Sequence, residues 1–492
     1  MIIESLIENA RRQPKRVIAK DPSRSLTCVQ LCKFSQAMRS LVQSQTVCDR
    51  VGVMLPASVA GLGTLMGSLW AGRTIVPLNF LLKPDELRLI LQDAGIDLVI
   101  TTEHFASITE ALPVRSLFLE QAGLKKRYLW SRLRRSPPPP QTKPNDVAAL
   151  VYTSGTSGQP KGVCLTYNNF LSNARAAIEH MRMGPESHFL GVLPSFHVFG
   201  LTVLTFIPVV LGAAVTYVPR FSAQAAYQAI RDTDISILMA VPSMFSAISR
   251  LKDLDRSAFG RIQLAVSGGE PLPKGVYDLF GERTGLTLLE GYGMTETSPI
   301  IFVDAPWNHR VGTVGTPLPG VEIQVRDHSG RVLETGQEGE LFVRGSLVMK
   351  GYHQRPLETG NMIGPDGWLR TGDIVRIEEE QHIRITGRAK ELIIVGGENV
   401  YPREVEIILE RHPAVAAVAV MGQQDNTRGE AVVAYVSLEE GSKTTPQHLR
   451  EYCREHLAGY KVPRQIHILP ELPRGPTGKV LKKELAGRDP VL

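Results

Sequence analysis

No run of about 18 apolar residues occurs in this 492-residue sequence, so a membrane-spanning helix is not expected. The most apolar stretch, 201–218, is interrupted by Pro208 and Gly212 and reads as a buried helix followed by a strand. The opening MIIESLIENARRQP has the pattern of a short amphipathic helix. It lacks the charged start, apolar middle and small-residue cleavage site of a secretory leader, which makes a cytoplasmic location the default expectation. Cysteine is scarce and odd in number: Cys28, Cys32, Cys48, Cys164 and Cys453 are widely scattered, against a disulfide framework. Cys28 and Cys32 are spaced for one helix face, but no second pair or nearby histidine completes a metal site, and all five are expected to be reduced and structural. The formal charge of +6 is small for this length and comes with no helix-turn-helix, zinc-finger or RNA-binding signature, so no nucleic-acid partner is expected.

With 43% hydrophobic residues the chain can bury a large core and form two or three domains. Through about residue 145, strand-like runs at 51–55, 74–77, 98–101 and 116–119 alternate with helical stretches such as 85–94, the order of a layered α/β domain. Farther on, 235–242 and 264–267 read as buried strands. Asn168 or Asn169 is placed to cap a helix with Phe170, Ala174, Ala177, Ile178 and Met181 on one face. The C-terminal part reads as a small α+β domain, with helices at 402–411 and 446–457 and strands at 415–421 and 430–437. One stretch breaks the alternation. Residues 125–135 carry six basic side chains (Lys125, Lys126, Arg127, Arg132, Arg134, Arg135) with Tyr128, Leu129, Trp130 and Leu133 among them, and run into prolines at 137–140. The prolines read as a stiff linker. A solvated loop is the plain reading of the basic stretch; peripheral contact with an anionic membrane, or with an acidic carrier protein, is the functional one.

Phosphate chemistry is concentrated at 153–162, Thr-Ser-Gly-Thr-Ser-Gly-Gln-Pro-Lys-Gly, which lies between strand-like runs and reads as the connection of a hairpin. Its glycines allow close backbone approach, the hydroxyls of Thr153, Ser154, Thr156 and Ser157 can donate, and Lys161 adds a cation, together a cradle for an anion. A polar surface loop is the ordinary alternative. No Ser or Thr follows Lys161, so this is not a Walker A sequence. Four further segments carry chemistry. Gly268-Gly269-Glu270-Pro271-Leu272 follows a strand, where α/β sheets bind ligands. In Gly291-Tyr292-Gly293-Met294-Thr295-Glu296-Thr297, the glycines let a planar base meet Tyr292, Thr295 can donate to phosphate, and Glu296 offers Mg²⁺ a hard oxygen. Asp373, at the end of 367–373, suits two ribose hydroxyls or simply caps a turn. His197 is a lone histidine in an apolar run, a setting that more often packs than catalyses.

In this order the segments resemble the adenylate-forming superfamily: acyl- and aryl-CoA synthetases, luciferases and peptide-synthetase adenylation domains. The phosphate loop and the heptad 291–297 match two of its signatures, the second unaltered. The segments 367–373, 387–393 (Gly-Arg-Ala-Lys-Glu-Leu-Ile) and 473–481 around Lys479 follow, and the likeness spans about residues 20–485. The resemblance implies a large N-terminal layered α/β domain (1–387), a hinge (388–390) pivoting on Lys390, and a small mobile C-terminal α+β domain (391–492). It implies ATP as co-substrate with Mg²⁺, the metal on Glu296 with Thr153. The implied ATP site comprises Thr153, Ser154, Gly155, Thr156, Ser157, Gly158 and Lys161 at the phosphates, Gly269, Glu270, Glu290, Gly291, Tyr292 and Gly293 along the adenine, Thr295, and Asp373 and Arg388 at the ribose. Lys479 is implied to bridge the carboxylate and the α-phosphate. His197 is implied beside the substrate carboxylate, and Gly396 and Gly397 are implied to leave room for the pantetheine arm of CoA once rotation withdraws Lys479.

A carboxylate is a poor electrophile because its leaving group would be oxide; transfer of AMP makes that oxygen a good one. Peptide-synthetase domains carry an aspartate after the phenylalanine that matches Phe196. His197 stands there instead, which disfavours an amino-acid substrate. Leu201, Val203, Leu204, Phe206, Ile207, Val209 and residues 239–241 are apolar and suit an alkyl chain or are simply core. The segment 194–203 looks most like fatty acyl-CoA and acyl-carrier-protein synthetases. The expected activity is therefore fatty acid to acyl-CoA with release of AMP and pyrophosphate. The alternatives are a carrier-protein acceptor, an aryl acid, or a non-catalytic nucleotide-binding protein.

Overall fold

The computed structural model describes residues 2–154, 160–395, 398–425, 429–474 and 480–485, with the side chains of Ser154, Asn399, Gly429 and Lys483 outside that description. Two large mixed sheets form the body. One is nine-stranded, in the order Thr316–Pro317, Ile300–Val303, Leu289–Gly293, Leu264–Ser267, Ile237–Ala240, His188–Gly191, Ala214–Tyr217, Val17–Asp21, Arg24–Thr27. The other is seven-stranded: Gly351–Tyr352, Pro160–Thr166, Val147–Ser154, Thr74–Pro77, Arg50–Val53, Leu98–Thr101, Arg115–Phe118. Their central strands are parallel and buried along nearly their whole length, as parallel strands covered on both faces must be. One core joins the two sheets: Val51, Ile75 and Val163 from one and Phe189, Val215 and Met239 from the other belong to the same packed cluster. The expected layered α/β fold is thus present.

Two helices carry much of that core, Cys28–Gln45 and Val59–Trp70, and their contact depends on small residues. A methyl group on Gly63 would overlap the Phe34 ring, and one on Gly67 would overlap the Met38 side chain, so glycine lets the two axes close. Thr27 caps the first helix in a reciprocal box with Gln30, and Ser58 caps the second through the Gly61 amide.

A four-stranded antiparallel sheet (Glu322–Arg326, Glu338–Arg344, Leu369–Ile377, Ile383–Arg388) follows in the chain, then a short 3₁₀ turn, Ala389–Glu391. Beyond it the strands Glu398–Val400, Ile393–Val395, Gly429–Leu438 and Val415–Asp425, with Gln465–Ile468, form a last sheet covered by the helices Pro402–Glu410 and Pro446–His456. Among the described residues its core clusters are drawn from positions after 392.

Two local expectations need correction, and the alternative left open for 201–209 is decided. The helix after the phosphate loop, Tyr167–His180, is capped by Thr166 rather than by Asn168 or Asn169, with Asn169 returning the bond to the Thr166 amide. Asn169 is held inside the helix because its side-chain amide donates to the carbonyls of Ser346 and Val348. The basic stretch is no loop: Leu124–Leu133 is a helix laid on Cys28–Gln45, with Leu124 and Tyr128 packed against the main core and Ser131 buried. Leu201, Val203, Leu204, Phe206, Ile207 and Val209 are fully packed core rather than the wall of an open channel, with Phe206 on Phe170 and the Leu204 carbonyl bonded by the Tyr217 hydroxyl.

Candidate active site

The expected hairpin is formed by Val147–Ser154 and Pro160–Thr166, paired antiparallel with Thr153 opposite Lys161. Gly155, Thr156, Ser157 and Gly158 at its tip lie outside the described residues, as do Gly396, Gly397 and Lys479. The outgoing limb is gripped by a segment the sequence did not mark. Gly351 and Tyr352 pair with Cys164 and Val163, the Lys350 amide donates to the Cys164 carbonyl at 3.0 Å, and the His353 amide donates to the Gly162 carbonyl at 2.7 Å. Lys161, at the end of that limb, forms an ion pair with Glu358 and lies 5.4 Å from the centre of the Tyr352 ring.

The same segment reaches the turn 291–297. The Met349 amide donates to the Glu296 carbonyl at 2.8 Å, and the Tyr352 hydroxyl donates to Glu296 Oε1 at 2.7 Å. Glu296 is only 8% exposed. Lys161, Tyr352 and Glu296 thus form a contact chain from the phosphate loop to the acidic turn.

Four residues before Glu296, Tyr292 faces the other way. It is the penultimate residue of a strand of the nine-stranded sheet, stacks on Phe302 with centroids 5.8 Å apart, and donates its hydroxyl to Asp373 in the four-stranded sheet. Asp373 is buried and lies opposite Arg388 in strand register, with Asp373 Oδ1 and Arg388 Nε 2.8 Å apart. Burial, then the Asp373 carboxylate, push the Tyr292 hydroxyl well above the ordinary phenol range. Burial works against the charge on Arg388, but Asp373, Tyr292 and Glu391 outweigh it and its pKa is raised. A Cβ on Gly293 would strike the Pro299 carbonyl, so glycine is needed to close the turn.

Glu290, the second residue of the same strand and opposite Ser267 in register, is partly buried. Burial raises its pKa to about 7, against the Leu272 amide and the Arg403 cation, and with help from Asp304. Gly268, Gly269 and Glu270 form the loop after Leu264–Ser267, with Gly269 at φ +85°. Beside them stand Phe199, whose Cζ would lie 3.2 Å from a Cβ on Gly268, and Val241, whose Cγ1 would lie 3.6 Å from one on Gly269. His197 begins the helix Val198–Leu201, its ring against Phe196 at 4.8 Å, with Nε2 buried and unpartnered among the described residues. Burial lowers its pKa to about 4, so it is a neutral imidazole at ordinary pH.

Lys390 lies in the 3₁₀ turn after Arg388. Next to it, Glu391 accepts from Lys482 at 2.8 Å, and Lys482 also meets Glu406 at 3.0 Å. Arg474 and Val480 pair as an isolated antiparallel bridge, so the limbs flanking 475–479 are held together. Burial opposes the charge on Lys482, and Glu406 and Glu391 more than restore it.

Sequence comparison fits this geometry. The model of the AMP-binding enzyme family matches residues 6–353, and that of the AMP-binding enzyme C-terminal domain matches residues 404–479. The chain therefore belongs to the AMP-binding, adenylate-forming enzymes. Within that class it is an AMP-forming acid–thiol ligase, working through an acyl-adenylate. It is similar to the sulfoacetate–CoA ligase of Cupriavidus necator (36% identity, 92% of this chain and 89% of that one) and to the long-chain-fatty-acid–CoA ligase of Yersinia pestis (33%, 89% and 84%). Among solved structures it is similar to the o-succinylbenzoate–CoA synthetase of Bacillus subtilis in complex with ATP and magnesium (28% identity, TM-score 0.85, 98% and 99% covered).

Proposed function

We propose that the protein converts a carboxylic acid with an apolar tail, a fatty acid foremost, into its CoA thioester, with AMP and pyrophosphate as co-products. The observation that carries this reading is the turn 291–297, which sends Tyr292 to Asp373 and Arg388 on one side and Glu296 to Tyr352 and Lys161 on the other. A nucleotide laid across that turn has its ribose at Asp373 and Arg388, its adenine along Tyr292, Glu290, Gly291, Gly269 and Glu270, and its phosphates at Thr153, Thr295 and Lys161. Lys161 is held by Glu358, a partner the β,γ-phosphates would displace or share.

A magnesium nucleotide suits this donor set, because Glu296 has a carboxylate oxygen to offer. Among the described residues no group of three His, Cys, Asp or Glu is placed to hold a metal, so Glu296 would hold the ion together with the nucleotide's own oxygens. The ion neutralises phosphate charge. The protein's own residues orient the reactants: the acid carboxylate attacks the α-phosphorus, the bond to the β-phosphate oxygen breaks, and pyrophosphate leaves. Lys479 carries positive charge to the α-phosphate in this scheme. In the second half-reaction the CoA thiol loses its proton, its sulfur attacks the acyl carbon, and AMP leaves. The hinge at 388–390, with Lys390 as pivot, exchanges the Lys479 loop for Gly396 and Gly397.

The apolar tail is supported by the wall beside Gly268 and Gly269. Phe199 and Val241 are hydrocarbon and His197 is a neutral imidazole, surroundings that among the described residues favour an alkyl chain over a second anion such as a sulfonate. Acid-dependent pyrophosphate release across acetate, hexanoate, palmitate, cinnamate and sulfoacetate, with and without CoA, tests the reading. Release that rises with alkyl length and turns over with CoA supports it. Preference for sulfoacetate or cinnamate refutes the fatty-acid assignment, and turnover on an acyl carrier protein but not on CoA refutes the acceptor.

A further inference from the structure

We infer that the outer face of the helix Leu124–Leu133 docks the protein on an anionic lipid bilayer. The inner face of this helix is fastened down. Ser131 donates to the Lys33 carbonyl at 3.0 Å, Arg127 reaches Ser40 and Ser44 at 3.1 and 3.2 Å, and Lys33 donates to the Arg134 carbonyl at 2.8 Å. The proline segment behind it is tied by the Trp70 indole, which donates to the Pro138 carbonyl at 3.1 Å. What the helix turns outward is therefore held in place.

The outward face is apolar at its centre and basic around it. Leu129, Trp130 and Leu133 are 58%, 62% and 83% exposed and follow i, i+1, i+4 spacing, one side of a helix. Lys125 and Arg132, seven residues apart, lie on one flank, Lys126 shares the outward side one turn before Trp130, and Arg134 and Arg135 follow the end of the helix, all exposed. No acidic residue occurs between Glu120 and Asp146. Three large apolar side chains in water are an expense that a polar protein surface would not relieve, whereas an acyl boundary would. The guanidinium of Arg134, 5.5 Å from the centre of the Trp130 ring, gives the indole a cationic neighbour suited to the headgroup level. A carrier protein would use the charges and leave Leu133 in water, so the bilayer accounts for both features. This surface lies outside the residues assigned to nucleotide and acid, and the inference does not depend on which acid is activated.

The test is co-sedimentation of the full chain with vesicles of phosphatidylcholine alone or with phosphatidylglycerol added, at low and high salt, together with tryptophan emission. Binding to the mixed vesicles only, weakened by salt and accompanied by a blue shift that Trp130→Phe removes, is expected. Reversing Lys125, Lys126 and Arg132 to Glu should lower binding on the order of 100-fold or more, since each basic residue near such a surface contributes about fivefold. The triple change Leu129→Ser, Trp130→Ser, Leu133→Ser should abolish the binding that remains at high salt, with vesicle-free ligase activity unchanged. Equal binding to both vesicle types, no binding to either, or variants that bind like the parent would overturn the inference. Salt-sensitive binding to an acidic carrier protein without vesicle binding would overturn it equally.

Discussion

Replacing Tyr352 with Phe removes one oxygen and leaves the aromatic ring beside Lys161 in place. The lost group is the donor to Glu296 Oε1 at 2.7 Å, on a carboxylate that is 8% exposed. A hydrogen bond to a charged group contributes about 1.5–3 kcal/mol. If that bond aims Glu296 at the metal nucleotide, the adenylation rate constant should fall roughly 10- to 100-fold. The loss should appear as a shift of the magnesium activation curve and a lower kcat for ATP–pyrophosphate exchange. Thioester formation from supplied acyl-adenylate, which involves no triphosphate, should change little, and so should the KM for CoA. A merely structural tyrosine would depress both half-reactions together. Unchanged exchange at subsaturating magnesium would refute the assignment of Glu296 through Tyr352.

Two further outcomes are expected. Glu290 ionises near 7 in the folded chain against an ordinary value of 4.5, so the folded state binds this proton more tightly and the associated stability, complete below about 4.5, is lost as pH rises through 7. Thermal unfolding of Glu290→Gln, whose side chain stays neutral, should shift in the variant's favour by up to about 3 kcal/mol between pH 4.5 and 8 relative to the parent, and a constant offset would refute the burial argument. On either side of the hinge step, Lys479→Ala should abolish adenylate formation yet spare thioester formation from supplied acyl-AMP, and Lys390→Pro should do the reverse. Parallel loss of both steps in both variants would remove the basis for a rotating hinge.

The elements legible in the sequence were those whose cause is local. The strands 74–77 and 98–101 announced themselves by β-branched runs and 264–267 by a short apolar run ahead of two glycines, and the structure forms all three at those positions. The turn 291–297 was legible because its glycines, tyrosine and glutamate are consecutive. Tyr352 and Glu358 were not, since their partners Glu296 and Lys161 are 56 and 197 residues away and no spacing rule links them. Apolarity at 201–209 showed that these side chains would be covered, but not whether protein or substrate would cover them; Phe170 and Tyr217 supply the cover. The helix Leu124–Leu133 was obscured by its own charge, because its buried stripe amounts to little more than Leu124, Tyr128 and Ser131.

The most direct measurement of the central claim is the nucleotide product formed from ATP labelled at the α-phosphate, with palmitate and without CoA. The account predicts acid-dependent AMP held on the enzyme as acyl-adenylate, with pyrophosphate exchanging back into ATP, and loss of that exchange in Glu296→Gln. ADP as the product, or ATP turnover indifferent to the acid, would contradict it.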